Sequence, residues 1–225
     1  MLKTFVIIPA YNEEMMIADV IESFRSYDYH MVIVDDGSDD GTSKRARQAG
    51  ASVVTHPINL GQGAALQTGI DYALKHGAQY IVTFDADGQH HAGDVEKLLC
   101  ALQENSLDIV MGSRFLGVTE NISWSRKLLL KMALWFTRLT GGPQLTDVHN
   151  GLRAFRAEVA PLIRIYQPRM AHASEILYSI KKACLRYKEV PITVSYTDYS
   201  QHKGQRGVAG AVDIVMDLIL GRSLR

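Results

Sequence analysis

Three apolar runs, Val6-Ile7-Ile8, Met31-Val32-Ile33-Val34 and Tyr80-Ile81-Val82-Thr83-Phe84, each lead directly into polar and glycine-rich residues. The polar clusters read Pro9-Ala10-Tyr11-Asn12-Glu13, Asp35-Asp36-Gly37-Ser38 and Asp85-Ala86-Asp87-Gly88-Gln89. Near-continuous apolar strands are covered on both faces, and amphipathic stretches separate these runs. Together they describe an α/β chain with a mostly parallel sheet flanked by helices. The pattern predicts strands over 4–9, 31–35, 52–55, 79–84 and 108–112, and helices over 13–27, 40–49, 63–75 and 93–103. In open α/β sheets, ligands bind beyond the carboxyl ends of the strands. Three polar clusters at equivalent strand ends therefore predict one site.

The second half predicts a greasy, basic helix over 125–140, a short strand over 151–156 and a helix over 173–186. A strand over 189–195 and an amphipathic helix over 208–220 complete it. No repeat, low-complexity tract or linker breaks the chain, so residues 1–225 read as one domain with halves at 1–115 and 116–225. The 24 basic and 24 acidic side chains cancel in total. Their positions do not cancel: residues 1–110 hold 16 acids and 7 bases, and residues 111–225 hold 8 and 17. The zero total argues against a generic nucleic-acid binder, but an acidic half joined to a basic half is a dipole that the function has to explain. Cys100 and Cys184 stand at no metal-ligand spacing, so the sequence supports neither a disulfide framework nor a cysteine zinc site. No run approaches the roughly 18 apolar residues of a membrane span, and the apolar start lacks a small-residue cleavage site. The expected location is cytoplasmic.

Asp85 and Asp87 leave a buried-looking strand one residue apart. Two such carboxylates can share a hard divalent cation, Mg²⁺ or Mn²⁺, which would bridge to a diphosphate. Asp-x-Asp is also common in turns, where it caps helices. Gln89, His90 and His91 add neutral donors on the same loop, although either histidine also fits a plain loop role; His149 and His172 stay outside the metal set. Asp35-Asp36-Gly37-Ser38 is a second acidic exit, suited to accepting hydrogen bonds from a base or ribose, or to a turn with Ser38 or Asp39 capping the next helix. Asn59-Leu60-Gly61-Gln62-Gly63 has the glycines of a phosphate-approaching loop but matches neither a dinucleotide fingerprint nor a P-loop.

Taken with Gly112-Ser113-Arg114-Phe115, these blocks resemble, in order and spacing, the family 2 inverting glycosyltransferases of GT-A fold. The resemblance implies that Pro9, Tyr11, Glu13, Asp36, Gly63, Asp85, Ala86, Asp87 and Arg206 bind a nucleotide diphosphate sugar. It also implies that Asp85, Asp87 and Gln89 hold the metal. Thr146-Asp147-x-x-Asn150-Gly151-Leu152-Arg153-Ala154-Phe155-Arg156 is similar to a block of the dolichol- and polyprenyl-phosphate sugar synthases, with Leu152 where a Phe is usual. Glu189-Val190-Pro191-Ile192 matches a strand of those enzymes. Their basic signature near the end is replaced by Tyr199-Ser200-Gln201-His202-Lys203-Gly204-Gln205-Arg206.

The acceptor chemistry follows from charge. A hydroxyl must lose a proton as it attacks and needs a positioned base, whereas a lipid phosphate is already anionic and needs cations. Arg114, Arg126, Arg153, Lys203 and Arg206 are set against one acid in a family-matched position of the second half, Asp147. Asp147, Asp87, Arg114 and Lys203 are the catalytic candidates, and Arg114, Arg126, Arg153 and Lys203 the acceptor-binding ones. Asp147 also fits a structural role, bonding the loop of Asn150 and Gly151. Residues 124–139 set Arg126, Lys127, Lys131 and Arg138 among Leu128, Trp135 and Phe136, which suits an anionic lipid surface; a core helix with a solvated basic face is the alternative. The expectation is metal-dependent transfer to a polyprenyl phosphate, peripheral at the inner face of the membrane or beside a membrane-embedded partner. Its rivals are transfer to a glycan hydroxyl with Asp147 as base, and a non-catalytic subunit of a membrane glycosylation complex.

Overall fold

The computed structural model describes residues 3–104, 106–120, 134, 144–148, 150–168 and 172–196. The first half alternates β1 (Thr4–Ala10), α1 (Ile17–Glu22), β2 (His30–Asp35), α2 (Thr42–Gln48), β3 (Ser52–Thr55), α3 (Gln62–Lys75), β4 (Tyr80–Thr83) and α4 (Ala92–Glu104). The second half adds β5 (Ile109–Glu120), β6 (Arg153–Arg156), a 3₁₀ helix (Ala157–Ile163), α5 (His172–Lys182) and β7 (Tyr187–Ser195). The strands form one sheet in the order β3-β2-β1-β4-β6-β5-β7. β6 runs antiparallel to both β4 and β5, and the remaining pairs are parallel.

Side-chain alternation along β1 divides the core into two layers. Val6, Ile8 and Ala10 meet Ile17, Val20 and Phe24 of the α1 region and Val95 and Leu98 of α4. Phe5 and Ile7 face Leu66 and Ile70 of α3, and the same layer continues to Ile176 and Ile180 of α5. Both faces of the sheet are thus covered, as the uninterrupted apolar runs predict. Pro9 sits in this central strand without penalty: the odd residues of β1 turn toward β4, and that pairing ends at Ile7–Thr83.

Three expectations need correction. The helix predicted over 13–27 is confined to Ile17–Glu22. Its lead-in is held by the β2–α2 loop, where Glu13 N donates to Thr42 Oγ1 at 2.9 Å and Glu14 N to Asp40 Oδ2 at 3.2 Å. Its tail closes as successive three-residue turns from Ile21 to Tyr27. β5 runs on from the predicted stop at 112 to Glu120, pairing with β7 across an irregularity between Ser113 and Val118. There the backbone of Ile192 presses so closely on Gly117 that a Cβ would overlap its carbonyl oxygen. Finally, neither Ser38 nor Asp39 caps α2: Ser38 Oγ accepts Asn12 N, Asp39 N donates to Asn12 Oδ1, and Asp40 meets the first helical amide, Thr42 N. The segments predicted over 125–140 (Leu134 apart) and 208–220 lie outside the described residues.

Candidate functional site

The strand ends of β1, β2 and β4 open on the same edge of the sheet. Asn12, at φ 52°, carries the chain out of β1 and joins the β2 exit through its bonds to Ser38 and Asp39. Beyond β1, Tyr11 is 41% exposed, while Glu13 is buried. Asp36 is buried and accepts three hydrogen bonds: His56 Nδ1 and Leu60 N on Oδ1 at 2.7 and 2.9 Å, and Gly61 N on Oδ2 at 2.7 Å. His56 Nε2 in turn bonds Thr68 Oγ1 at 2.9 Å. The amides ahead of α3 are therefore held by the protein's own carboxylate. Gly63 is needed for packing, since a Cβ there would overlap the Gln167 carbonyl.

β4 ends at Thr83, and Asp85 and Asp87 follow two and four residues later. Asp87 Oδ1 accepts Gln89 N at 3.1 Å, and its Oδ2 accepts Gln89 Nε2 at 2.6 Å. Gln89 thus keeps its amide oxygen as the remaining donor toward a cation. Asp85 Oδ1 accepts Gln62 Nε2 at 3.4 Å, and Oδ2 lies 3.1 Å from His90 Nε2. Gly151 walls this carboxylate, because a Cβ there would collide with both its oxygens; Thr83 Oγ1 pins the Gly151 carbonyl at 2.6 Å.

The electrostatics are those of a site short of positive charge. Burial, and then the neighbouring Asp85, push the Asp87 carboxyl from the ordinary 3.8 to about 6. Burial also works against Asp85, but the hydrogen bond and electrostatic pull of His90, followed by Arg153 and Arg114, outweigh it and hold its carboxyl below the ordinary value. No group of three or more His, Cys, Asp or Glu side chains gathers for a metal among the described residues. The donor set is instead two repelling carboxylates and an amide oxygen, all hard oxygen donors, which fits Mg²⁺ or Mn²⁺.

Asp147 lies across the sheet edge at the end of a loop held by β7. Glu189 accepts Thr146 N at 2.7 Å and Asp147 N at 2.9 Å. The Asp147 carboxylate is buried, and its Oδ2 is occupied: it accepts Arg114 Nε at 2.6 Å, Arg114 N at 3.1 Å and Asn150 Nδ2 at 3.4 Å. Arg114 Nη1 reaches the Tyr196 hydroxyl at 2.7 Å. Burial alone would weaken the Arg114 cation, but Asp147 and Tyr196 more than offset it. Arg153 is 3% exposed, and its burial outweighs the pull of Asp85 and Asp147, lowering its pKa.

Asp85, Ala86, Asp87, Gln89, Asp147, Arg114 and Arg153 thus belong to one region of the sheet edge, with Pro9, Tyr11, Glu13 and Asp36 at the adjoining exits. Arg126, Lys203 and Arg206 lie outside the described residues, as does His149; His172 is buried at the start of α5. Gln62, His56, Glu189 and Tyr196 take part without having been singled out from sequence. Gln62 and Glu189 sat inside recognised blocks, but nothing in the sequence pairs Arg114 with a residue 82 positions on. No helix of the described residues is long and apolar enough to cross a membrane.

Comparison with known proteins bears on the family and the fold. Residues 5–161 match the profile of glycosyl transferase family 2. An uncharacterized protein of Methanocaldococcus jannaschii is 40% identical over 211 residues, covering 92% of this chain and 87% of its own. The UDP-N-acetylglucosamine–dolichyl-phosphate N-acetylglucosaminyltransferase of Methanococcus voltae is 34% identical over 228 residues, covering 92% and 91%. Glucosyl-3-phosphoglycerate synthase of Mycobacterium tuberculosis, solved with Mn²⁺, uridine diphosphate and glucosyl-3-phosphoglycerate, superposes with a TM-score of 0.77 at 20% identity, over 98% of this chain and 80% of that one.

Proposed function

The chain belongs to glycosyl transferase family 2 and has the GT-A fold, and on that premise we propose that it transfers a sugar from a nucleotide diphosphate sugar to a polyprenyl phosphate. The observation that carries the choice of acceptor is the burial of the Asp147 carboxylate, whose Oδ2 is taken up by Arg114 and Asn150. A base for a hydroxyl acceptor needs an oxygen within hydrogen-bond reach of substrate. Asp147 is instead the counter-charge that fixes Arg114, so an acceptor that arrives as an anion suits this site better than a hydroxyl. Likeness along nearly the full length to a protein named as a dolichyl-phosphate N-acetylglucosaminyltransferase supports the same reading.

In this account Tyr11, Pro9, Glu13 and Asp36 shape the nucleotide pocket, with Asp36 acting through the 60–61 backbone it holds. Asp85, Asp87 and the Gln89 amide oxygen would hold Mg²⁺ or Mn²⁺, which would supply positive charge against that growing on the departing diphosphate. The acceptor phosphate oxygen forms the new bond to the anomeric carbon as the bond to the diphosphate breaks, inverting the centre; no proton has to be removed. Arg114, held by Asp147 and Tyr196, lines the acceptor side. Arg153 is buried and acts on Asp85 through its charge, and direct contact with phosphates is assigned to Arg126, Lys203 and Arg206. The basic 124–139 segment brings the site to an anionic membrane surface, alone or beside a membrane-embedded subunit.

Asp147→Asn separates this reading from a hydroxyl acceptor. Loss of a general base lowers turnover about 10²–10⁴-fold. The phosphate reading predicts a loss below about tenfold in the folded variant, because Asn still accepts hydrogen bonds from Arg114.

A further inference from the structure

His90 carries a buried imidazole, 4% exposed, immediately after the Gln89 ligand candidate. Its ring meets Phe84 edge-on with centroids 5.6 Å apart. Nε2 lies 3.1 Å from Asp85 Oδ2, whereas Nδ1 is buried with no hydrogen-bond partner among the described residues. A carboxylate only accepts, so Nε2 carries the proton and the ring offers one aimed N–H. An enclosed nitrogen without a partner destabilises the fold, and an apolar side chain against Phe84 would avoid that penalty. Packing therefore does not explain the histidine. Ligation does not explain it either, because one nitrogen is engaged by Asp85 and the other is enclosed.

The backbone that presents this ring is fastened on its far side. His90 forms an isolated antiparallel bridge with Val194, and Ser195 N donates to the Gln89 carbonyl at 3.0 Å. The opposite oxygen of Asp85 accepts from Gln62 at 3.4 Å, a longer and weaker bond. With Gly151 as a wall, the His90 N–H makes the shorter of the two side-chain hydrogen bonds that hold Asp85 among the described residues. We propose that His90 is a positioning residue: its Nε2–H fixes the Asp85 carboxylate in the orientation that binds a divalent cation. This rests on the proposed metal site at Asp85, Asp87 and Gln89.

Outer groups that orient a metal ligand typically change affinity 10–100-fold when removed. The test is Mn²⁺ titration of the full chain, followed by loss of the free-ion electron paramagnetic resonance signal, with and without uridine diphosphate. His90→Leu removes the donor and is expected to weaken Mn²⁺ binding about 10–100-fold, with a melting temperature equal to or above that of the parent. His90→Gln, whose amide nitrogen lies near the place of Nε2, is expected to stay within about threefold of the parent. Wild-type affinity in His90→Leu, or equal losses in the Leu and Gln variants, overturns the positioning role alone, provided that Asp87→Ala abolishes binding. If the parent protein itself leaves the free Mn²⁺ signal undiminished, the metal site and the positioning role fall together.

Discussion

Replacing Asp87 with asparagine should make the metal-free protein less sensitive to rising pH. Asp87 is half-buried beside Asp85, and its carboxyl is raised from 3.8 to about 6. A carboxyl whose folded pKa is raised binds its proton more tightly in the folded state. Its contribution is therefore fully present below about pH 4 and is lost as pH climbs through 6. At about 1.36 kcal/mol per unit, the shift sets a ceiling of about 3 kcal/mol, and partial exposure reduces the expected effect to about 1–2 kcal/mol. Urea unfolding in a chelator at pH 4.2 and 7.0 measures it. Other carboxylates titrate in both proteins, so the difference between them isolates Asp87 and its coupling to Asp85. Relative to the parent, Asp87→Asn should gain about 1–2 kcal/mol on going from the lower to the higher pH, equivalent to roughly 2–8 °C in Tm for a chain of this size. Adding Mn²⁺ at pH 7.0 should reverse the order by stabilising the parent alone. A difference that does not change with pH, or a variant that loses stability as pH rises, refutes the claim that these carboxylates repel each other in wait for a cation.

Two further outcomes follow from the same geometry and from the charge pattern. Glu189→Ala removes the carboxylate that receives the Thr146 and Asp147 amides. It should cost about 2 kcal/mol in denaturant unfolding and lower transfer activity while leaving Mn²⁺ affinity unchanged. Neutralising Arg126, Lys127 and Lys131 together should weaken sedimentation with anionic vesicles by about 3 kcal/mol, since each basic residue near such a surface contributes about 1. Nucleotide binding should be unaffected in the same protein.

The first half was legible because its signals are local. Val6-Ile7-Ile8 and Tyr80–Phe84 announce covered strands, and the polar residues that follow announce where each strand stops. Asp85, Asp87 and Gln89 stand out in the sequence for the same reason: three oxygen-bearing side chains fall on five consecutive residues. The second half was less legible because its structure is made by distant pairings. β6 slots antiparallel between β4 and β5, more than 40 residues after β5 begins, and no periodicity specifies that insertion. The extension of β5 through Gly117 depends on Ile192 of β7. The roles inside the site were the hardest to read. Five bases against one acid suggested free cations waiting for phosphate, yet Arg114 is tied to Asp147 and Arg153 is buried beside Asp85. Burial, not residue type, decides which cation remains available. The acidic first half and basic second half do meet at this edge, but partly by neutralising one another.

The measurement that bears most directly on the account is transfer itself. The protein is incubated with labelled UDP-N-acetylglucosamine and a panel of other nucleotide diphosphate sugars, undecaprenyl phosphate and Mn²⁺, and the label is partitioned into organic solvent. The account predicts an extractable glycosyl phospholipid with at least one donor, formed only with the metal present and absent when undecaprenol replaces its phosphate. Label that remains in water with every donor, or that moves equally well to the alcohol, contradicts it.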